Sequence, residues 1–170
     1  MSVAEIAPLI KNGELSPVDL VQSSLARIAQ LEPALNAFLD VWDESATAAA
    51  LAAETEISAG KYKGPLHGLP VGLKDLIDYA GTPTTGGSAV LADNIATTDA
   101  TVVTKLRDSG AIFMGKLNLV EFAFGTTGLN AHTGDVANPW GTERITAGSS
   151  SGSAAAVAAG MIPIALGTDT

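Results

Sequence analysis

Cysteine is absent from this sequence, which excludes disulfides, thiolate zinc sites and a cysteine nucleophile. Histidine is nearly as scarce. Only His67 and His132 occur, so a histidine-based metal site and Ser-His chemistry have few candidates. Both histidines read as loop residues. Basic residues are few as well: 9 Lys plus Arg stand against 18 Asp plus Glu, a formal net charge of −9. A chain without a basic face lacks the electrostatic grip that nucleic acid or an anionic membrane surface requires. No stretch reaches the roughly 18 apolar residues of a membrane span. The opening MSVAEIAPLIKNGEL places no basic region ahead of its short apolar run, so no signal peptide is expected, and a cytoplasmic protein is the default expectation.

What is present suits a folded domain. The chain has 170 residues, 46% hydrophobic and 16% charged, enough for a real core. VAEIAPLIKNG predicts a short helix stopped at Gly13. Ser16 followed by Pro17 predicts the cap and first position of a second helix. AFLDVW at 37–42 reads as a strand, and the alanine-rich stretch 44–60 as a helix ending near Gly60. From Gly64 onward, glycine and proline punctuate short apolar runs. LPVGLKD is a buried strand ending at a lysine, TPTTGGS a loop, and 98–110 a helix capped by Thr98 or Asp99. AIFMGKL at 111–117 is a second buried strand, 125–148 a long loop, and MIPIALG at 161–167 a third strand after a helix that opens in the serine run. Strands alternating with helices, without strict polar alternation, predict an α/β fold with a largely parallel sheet covered on both faces. No internal repeat or interdomain linker is visible.

Two stretches carry chemistry. Lys74, in GLPVGLKDLI, has almost nothing polar beside it except Asp75. A lysine among apolar groups resists protonation and can act as a general base; the plain alternative is a strand-end lysine paired with Asp75 or reaching water. TAGSSSGSAAAVAAG at 146–160 opens a helix, where free N–H groups would face an anion. A linker fits poorly ahead of a packed helix and strand, and a P-loop would need a lysine that is missing here. A tight structural turn and a hydrolytic site remain, and the local sequence barely separates them. Lys74 and Ser149 each lie at an edge of a buried α/β element, where sites form beyond strand ends, and Ser-Lys pairs are a known hydrolytic variant. Asn138, Pro139 and Trp140 read as a brace before the serine block, with Trp140 packing as an apolar plate.

GLPVGLKDLID, GKLNLVEFAFGTTGLN, NPWGTERITAGSSSGSAAAVAAG and IPIALGTDT, in that order, resemble the amidase signature family from about Gly64 to Thr170. The resemblance implies the amidase-signature fold, a twisted, mostly parallel sheet flanked by helices, present as an incomplete N-terminal portion. It implies a single domain over 1–170, with N-terminal helices at 1–60 and part of the catalytic core at 64–170. It also implies a Ser-Ser-Lys triad. Lys74 matches the neutral lysine base and Ser149 the bridging serine held by a cis peptide. The nucleophilic serine of a GTDTGGS-like loop falls beyond Thr170. Thr170 matches the first residue of the oxyanion-hole N–H cluster; Ala123 and Gly125 match the loop lining the acyl pocket. Ser150 and Asp169 are supporting residues, and many members carry glycine where this chain has Ser151.

The implied reaction is hydrolysis of a small-molecule amide, without metal or organic cofactor. Nucleic acid and membrane are not expected as direct partners, and a homodimer is the self-association to look for. One alternative is the ammonia-releasing A subunit of a glutamyl-tRNA amidotransferase, whose partners would be transamidase subunits. LNLVEF in place of a TNMDEF-like segment favours a free-standing amidase. From another class, a chain truly ending at Thr170 would be a non-catalytic binding module or remnant.

Overall fold

The structure, a computed structural model, describes residues 1–169. Helix α1 (Val3–Lys11) starts with a capping box in which the Ser2 N–H donates to Glu5 Oε2 at 2.6 Å. Helix α2 (Pro17–Leu35) has Ser16 as its cap, the hydroxyl accepting from the Val18 and Asp19 N–H groups, and ends on Asn36 in the left-handed conformation (φ 53°, ψ 41°). Strand β1 (Phe38–Val41) follows, then α3 (Asp43–Ser58), which turns Ala46, Ala50 and Ala53 inward. Strand β2 (Pro70–Lys74) and strand β3 (Ile112–Leu117) are buried at every position, as expected of apolar runs without alternation.

Between them lies α4 (Thr101–Asp108), which begins after Ala100. Neither Thr98 nor Asp99 caps it, because the Asp99 carboxylate is taken by the Ala80 N–H at 2.8 Å and by Arg107. The expected loop at 125–148 contains an antiparallel hairpin of β4 (Ala137–Asn138) and β5 (Gly141–Ile145). Trp140 sits at the tip of that hairpin and is 87% exposed; it does not pack as a plate. Helix α5 (Ser151–Ala158) and β6 (Ile164–Leu166) complete the order.

The main sheet runs β1-β3-β2-β6, with β3, β2 and β6 parallel and β1 antiparallel at one edge. Helices α2, α3 and α5 bury one face, packing Val21, Ile28, Ala50, Ala155 and Ala156 with Met114 and Leu117. On the other face α4 supplies Val103 to Val71, Leu73 and Phe113. The β2–β3 register shifts after Val71, which pairs with Phe113, so that Gly72 pairs with Gly115, Leu73 with Lys116 and Lys74 with Leu117. This bulge flips the alternation along β3. Met114 and Leu117 face α5, whereas Lys116 is sent toward the α4 side, where its Nζ donates to the Ile77 carbonyl at 2.8 Å. Only glycine fits at 115, since a Cβ there would lie 2.0 Å from the Asp40 carbonyl oxygen.

Candidate active site

Lys74 is the last residue of β2 and Ser149 lies just ahead of α5, so the packing of α5 on the sheet brings them to one end of the fold. The close approach has a sequence cause: a Cβ at Gly152 would lie 2.3 Å from the Ala37 carbonyl and 2.5 Å from the Asn118 nitrogen, and one at Gly167 would lie 2.7 Å from Ser150 Oγ. Glycine at these positions lets the start of α5 and the end of β6 converge on the lysine.

The Lys74 side chain is fully buried. Its Nζ lies 2.8 Å from Ser149 Oγ, 2.9 Å from Ser150 Oγ and 2.7 Å from Thr168 Oγ1. Burial pushes its pKa below the usual lysine value, and the negative charge of Asp169 partly counters this. Three hydroxyl contacts match the three donors of an ammonium and equally the two donors and one acceptor of a neutral amine. Ser150 uses its own proton on the Thr168 carbonyl at 3.1 Å and accepts the Thr168 N–H at 3.1 Å. Lys74 can therefore take a hydrogen bond only from Ser149 or Thr168. The Gly148–Ser149 peptide is cis. It is bracketed by backbone bonds: the Ser149 carbonyl accepts the Val120 N–H at 3.0 Å, and the Gly148 N–H donates to the Thr126 carbonyl at 2.9 Å.

Asp75, the neighbour in sequence, does not pair with Lys74. It turns to Lys116 Nζ at 3.3 Å and accepts the Thr85 N–H at 3.0 Å. Ala123 and Gly125 lie on the segment joined to Ser149 through Val120, with Ala123 half-buried and Gly125 exposed. Asp169 is exposed near the lysine, and Thr170 falls outside the described residues. His67 is buried, its Nδ1 accepting the Lys63 N–H at 3.2 Å and its Nε2 lying 3.1 Å from Glu56; His132 reaches Glu121. Neither touches the lysine cluster. Sequence reasoning passes over Thr168, whose only signal is its place in the GTDT turn after a strand. It also passes over Lys116, which the bulge conceals from any simple period-2 reading. Among the described residues no group of three or more His, Asp or Glu is placed to hold a metal ion, and no helix is long and apolar enough to cross a membrane.

A fully buried amine at the end of a parallel strand, facing serine hydroxyls at a helix start, defines an α/β protein with a lysine–serine centre. Comparison with known proteins supplies the family. The chain matches the family described as Amidase over residues 19–170 and belongs to it. It is 48% identical over 99% of its length to the A subunit of the glutamyl-tRNA(Gln) amidotransferase from Azoarcus sp. (strain BH72), covering 34% of that protein. In three dimensions it is similar to native peptide amidase from Stenotrophomonas maltophilia, with a TM-score of 0.89 and 38% identity over 97% of this chain and 35% of that one. It also resembles a chain of the vestigial protein complex tied to the evolutionary origins of an s-triazine catabolic enzyme. There the TM-score is 0.96 at 40% identity, over 100% of this chain and 37% of that one. The chain thus spans about a third of the length of the curated relatives it matches.

Proposed function

We propose that this chain carries the lysine and relay-serine half of a site that hydrolyses a carboxylic amide through an acyl-serine intermediate. The observation that carries the reading is the fully buried Lys74 amine 2.8 Å from Ser149 Oγ. Neutral Lys74 takes the Ser149 proton as Ser149 takes one from the nucleophilic serine, and that serine attacks the amide carbonyl. The proton returns along the same route to the leaving nitrogen, releasing ammonia or an amine. Water then cleaves the acyl-serine ester to the carboxylic acid. On the family pattern the nucleophile follows Thr170, and the Thr170 N–H opens the cluster that receives the oxyanion. Ala123 and Gly125 leave room for the acyl group, and Ser150, Thr168 and Asp169 hold the lysine. Residues 1–170 contribute to one amidase-signature domain, with 64–170 as the core part.

A second reading, the ammonia-releasing A subunit of a transamidase, is favoured by the identities of 44–48% to proteins of that name. Stable co-purification with transamidase partner subunits, together with glutamine hydrolysis that depends on them, distinguishes it from a free-standing amidase.

The test is turnover of a panel of carboxamides by the intact protein and its Lys74→Ala variant, with ammonia release as the readout. General-base loss is expected to lower kcat about a hundredfold to ten-thousandfold while circular dichroism stays unchanged. Parental turnover in that variant removes Lys74 from the mechanism.

A further inference from the structure

Glu121 lies outside the lysine cluster, and the reaction does not use it. Its carboxylate nevertheless joins three separate segments. The Ser88 hydroxyl donates to Glu121 Oε1 at 2.6 Å, and His132 Nε2 lies 3.2 Å from the same oxygen. Ser88 is 3% exposed, and its oxygen also accepts the Val90 N–H at 3.2 Å, so Glu121 is the acceptor that its buried proton needs.

The backbone around Glu121 is equally committed. The Val120 N–H donates to the Ser149 carbonyl at 3.0 Å, and the Phe122 N–H to the Gly86 carbonyl at 2.7 Å. Phe122 and Ala123, the next two residues, both have positive φ, 50° and 56°. Two consecutive left-handed residues other than glycine persist only where surrounding contacts hold them. The turn presents Ala123 and, two residues on, Gly125, and it abuts the segment bearing Ser149.

We propose that Glu121 is a positioning residue: by gripping Ser88 and His132 it holds the Phe122–Ala123 turn in place and so sets the wall against which the acyl part of the substrate lies. The inference rests on the amide-hydrolysing reading for its consequence, but the grip itself is a property of the fold. Glu121 touches neither the lysine nor the relay serine side chain. Its loss therefore acts on substrate fit rather than on proton transfer.

The experiment compares Glu121→Ala and Glu121→Gln with the intact parent protein. Gln keeps an oxygen that accepts the Ser88 proton and serves as the conservative rescue. In Glu121→Ala, KM for amides with bulky acyl groups is expected to rise about tenfold relative to small ones, with the shape of the kcat pH profile unchanged. Glu121→Gln is expected to stay close to the parent. Unchanged KM and acyl preference in Glu121→Ala overturns the inference. A second readout is independent of turnover: amide hydrogen exchange at Val120 and Phe122 is expected to quicken at least about tenfold in Glu121→Ala, with Val71 and Met114 unaffected. If the parent hydrolyses no amide, the functional reading fails and the exchange result alone decides the grip; unchanged exchange at Val120 and Phe122 removes it.

Discussion

Two lysines of this chain are almost completely shielded from water, and their amines have different partners. Lys116 meets the carboxylate of Asp75 at 3.3 Å along with the Ile77 carbonyl and the Thr84 hydroxyl. Burial lowers its pKa, and the Asp75 carboxylate partly counters this; its amine is tied to the scaffold on the α4 side of the sheet. Lys74 meets only hydroxyls among the hydrogen-bond partners at its amine; burial lowers its pKa and Asp169 partly counters this. Ser151, two residues past Ser149, is a different kind of buried polar group. Its hydroxyl is shielded and has no hydrogen-bond partner among the described residues. An unpaired buried hydroxyl is a net liability. Ser151→Ala is therefore expected to raise the unfolding free energy by about 1 kcal/mol, read from urea denaturation. A loss of stability instead would reveal a partner for that hydroxyl.

Between elements, the junction of α2 with β1 is tied to the start of α5 by a continuous set of bonds. Glu32 Oε1 accepts the Phe38 N–H at 2.9 Å, the Ala37 carbonyl accepts the Asn118 N–H at 2.9 Å, and the Asn118 carbonyl accepts the Gly152 N–H at 2.9 Å. Burial raises the Glu32 carboxyl from 4.5 to about 7, partly countered by the Phe38 and Ala37 N–H groups. The unfolded chain releases this proton near pH 4.5, whereas the folded chain holds it until about pH 7, so stability falls as pH rises through that window. Glu32→Gln removes the ionisation while leaving an acceptor for Phe38. Thermal melts are expected to show the variant gaining on the parent above about pH 7 and matching it near pH 4.5; a gain that does not vary with pH counts against this origin. Elements that depend on local signals are legible in the sequence: the Ser16–Pro17 helix start, the two apolar strands, the lysine at the end of β2. The β4–β5 hairpin is not, because its strands are short and its GTERI segment is polar and exposed. The start of α4 escapes a local reading because the Asp99 side chain serves residues distant in sequence. The pairing of Asp75 with Lys116 is hidden for a similar reason, since it depends on a register shift between two strands and not on either strand alone.

Across the whole molecule, apolar surface is unevenly covered. Phe124 is 92% exposed and Trp140 87%, while Trp42 is half-buried with its ring centroid 4.7 Å from that of Tyr79. Tryptophan emission is therefore expected to contain a red-shifted component readily quenched by acrylamide, which Trp140→Phe removes. A quench-resistant, blue-shifted spectrum in the parent would show that another part of the protein or a second copy covers the hairpin tip. The candidate site is equally a property of the whole. Lys74 and its partners at Ser149 and Thr168 are separated by 75 and 94 residues, so no local segment contains it.

The kink at Gly115 has one more consequence. By spending an extra residue there, β3 sends its own amine to Asp75 and the Ile77 carbonyl, while Lys74 meets the hydroxyls ahead of α5. Were the alternation unbroken, residue 116 would turn to the same face as Ile112 and Met114, away from Asp75. A single irregular residue thus decides which face of the sheet receives each amine, Lys116 meeting Asp75 and Lys74 meeting Ser149.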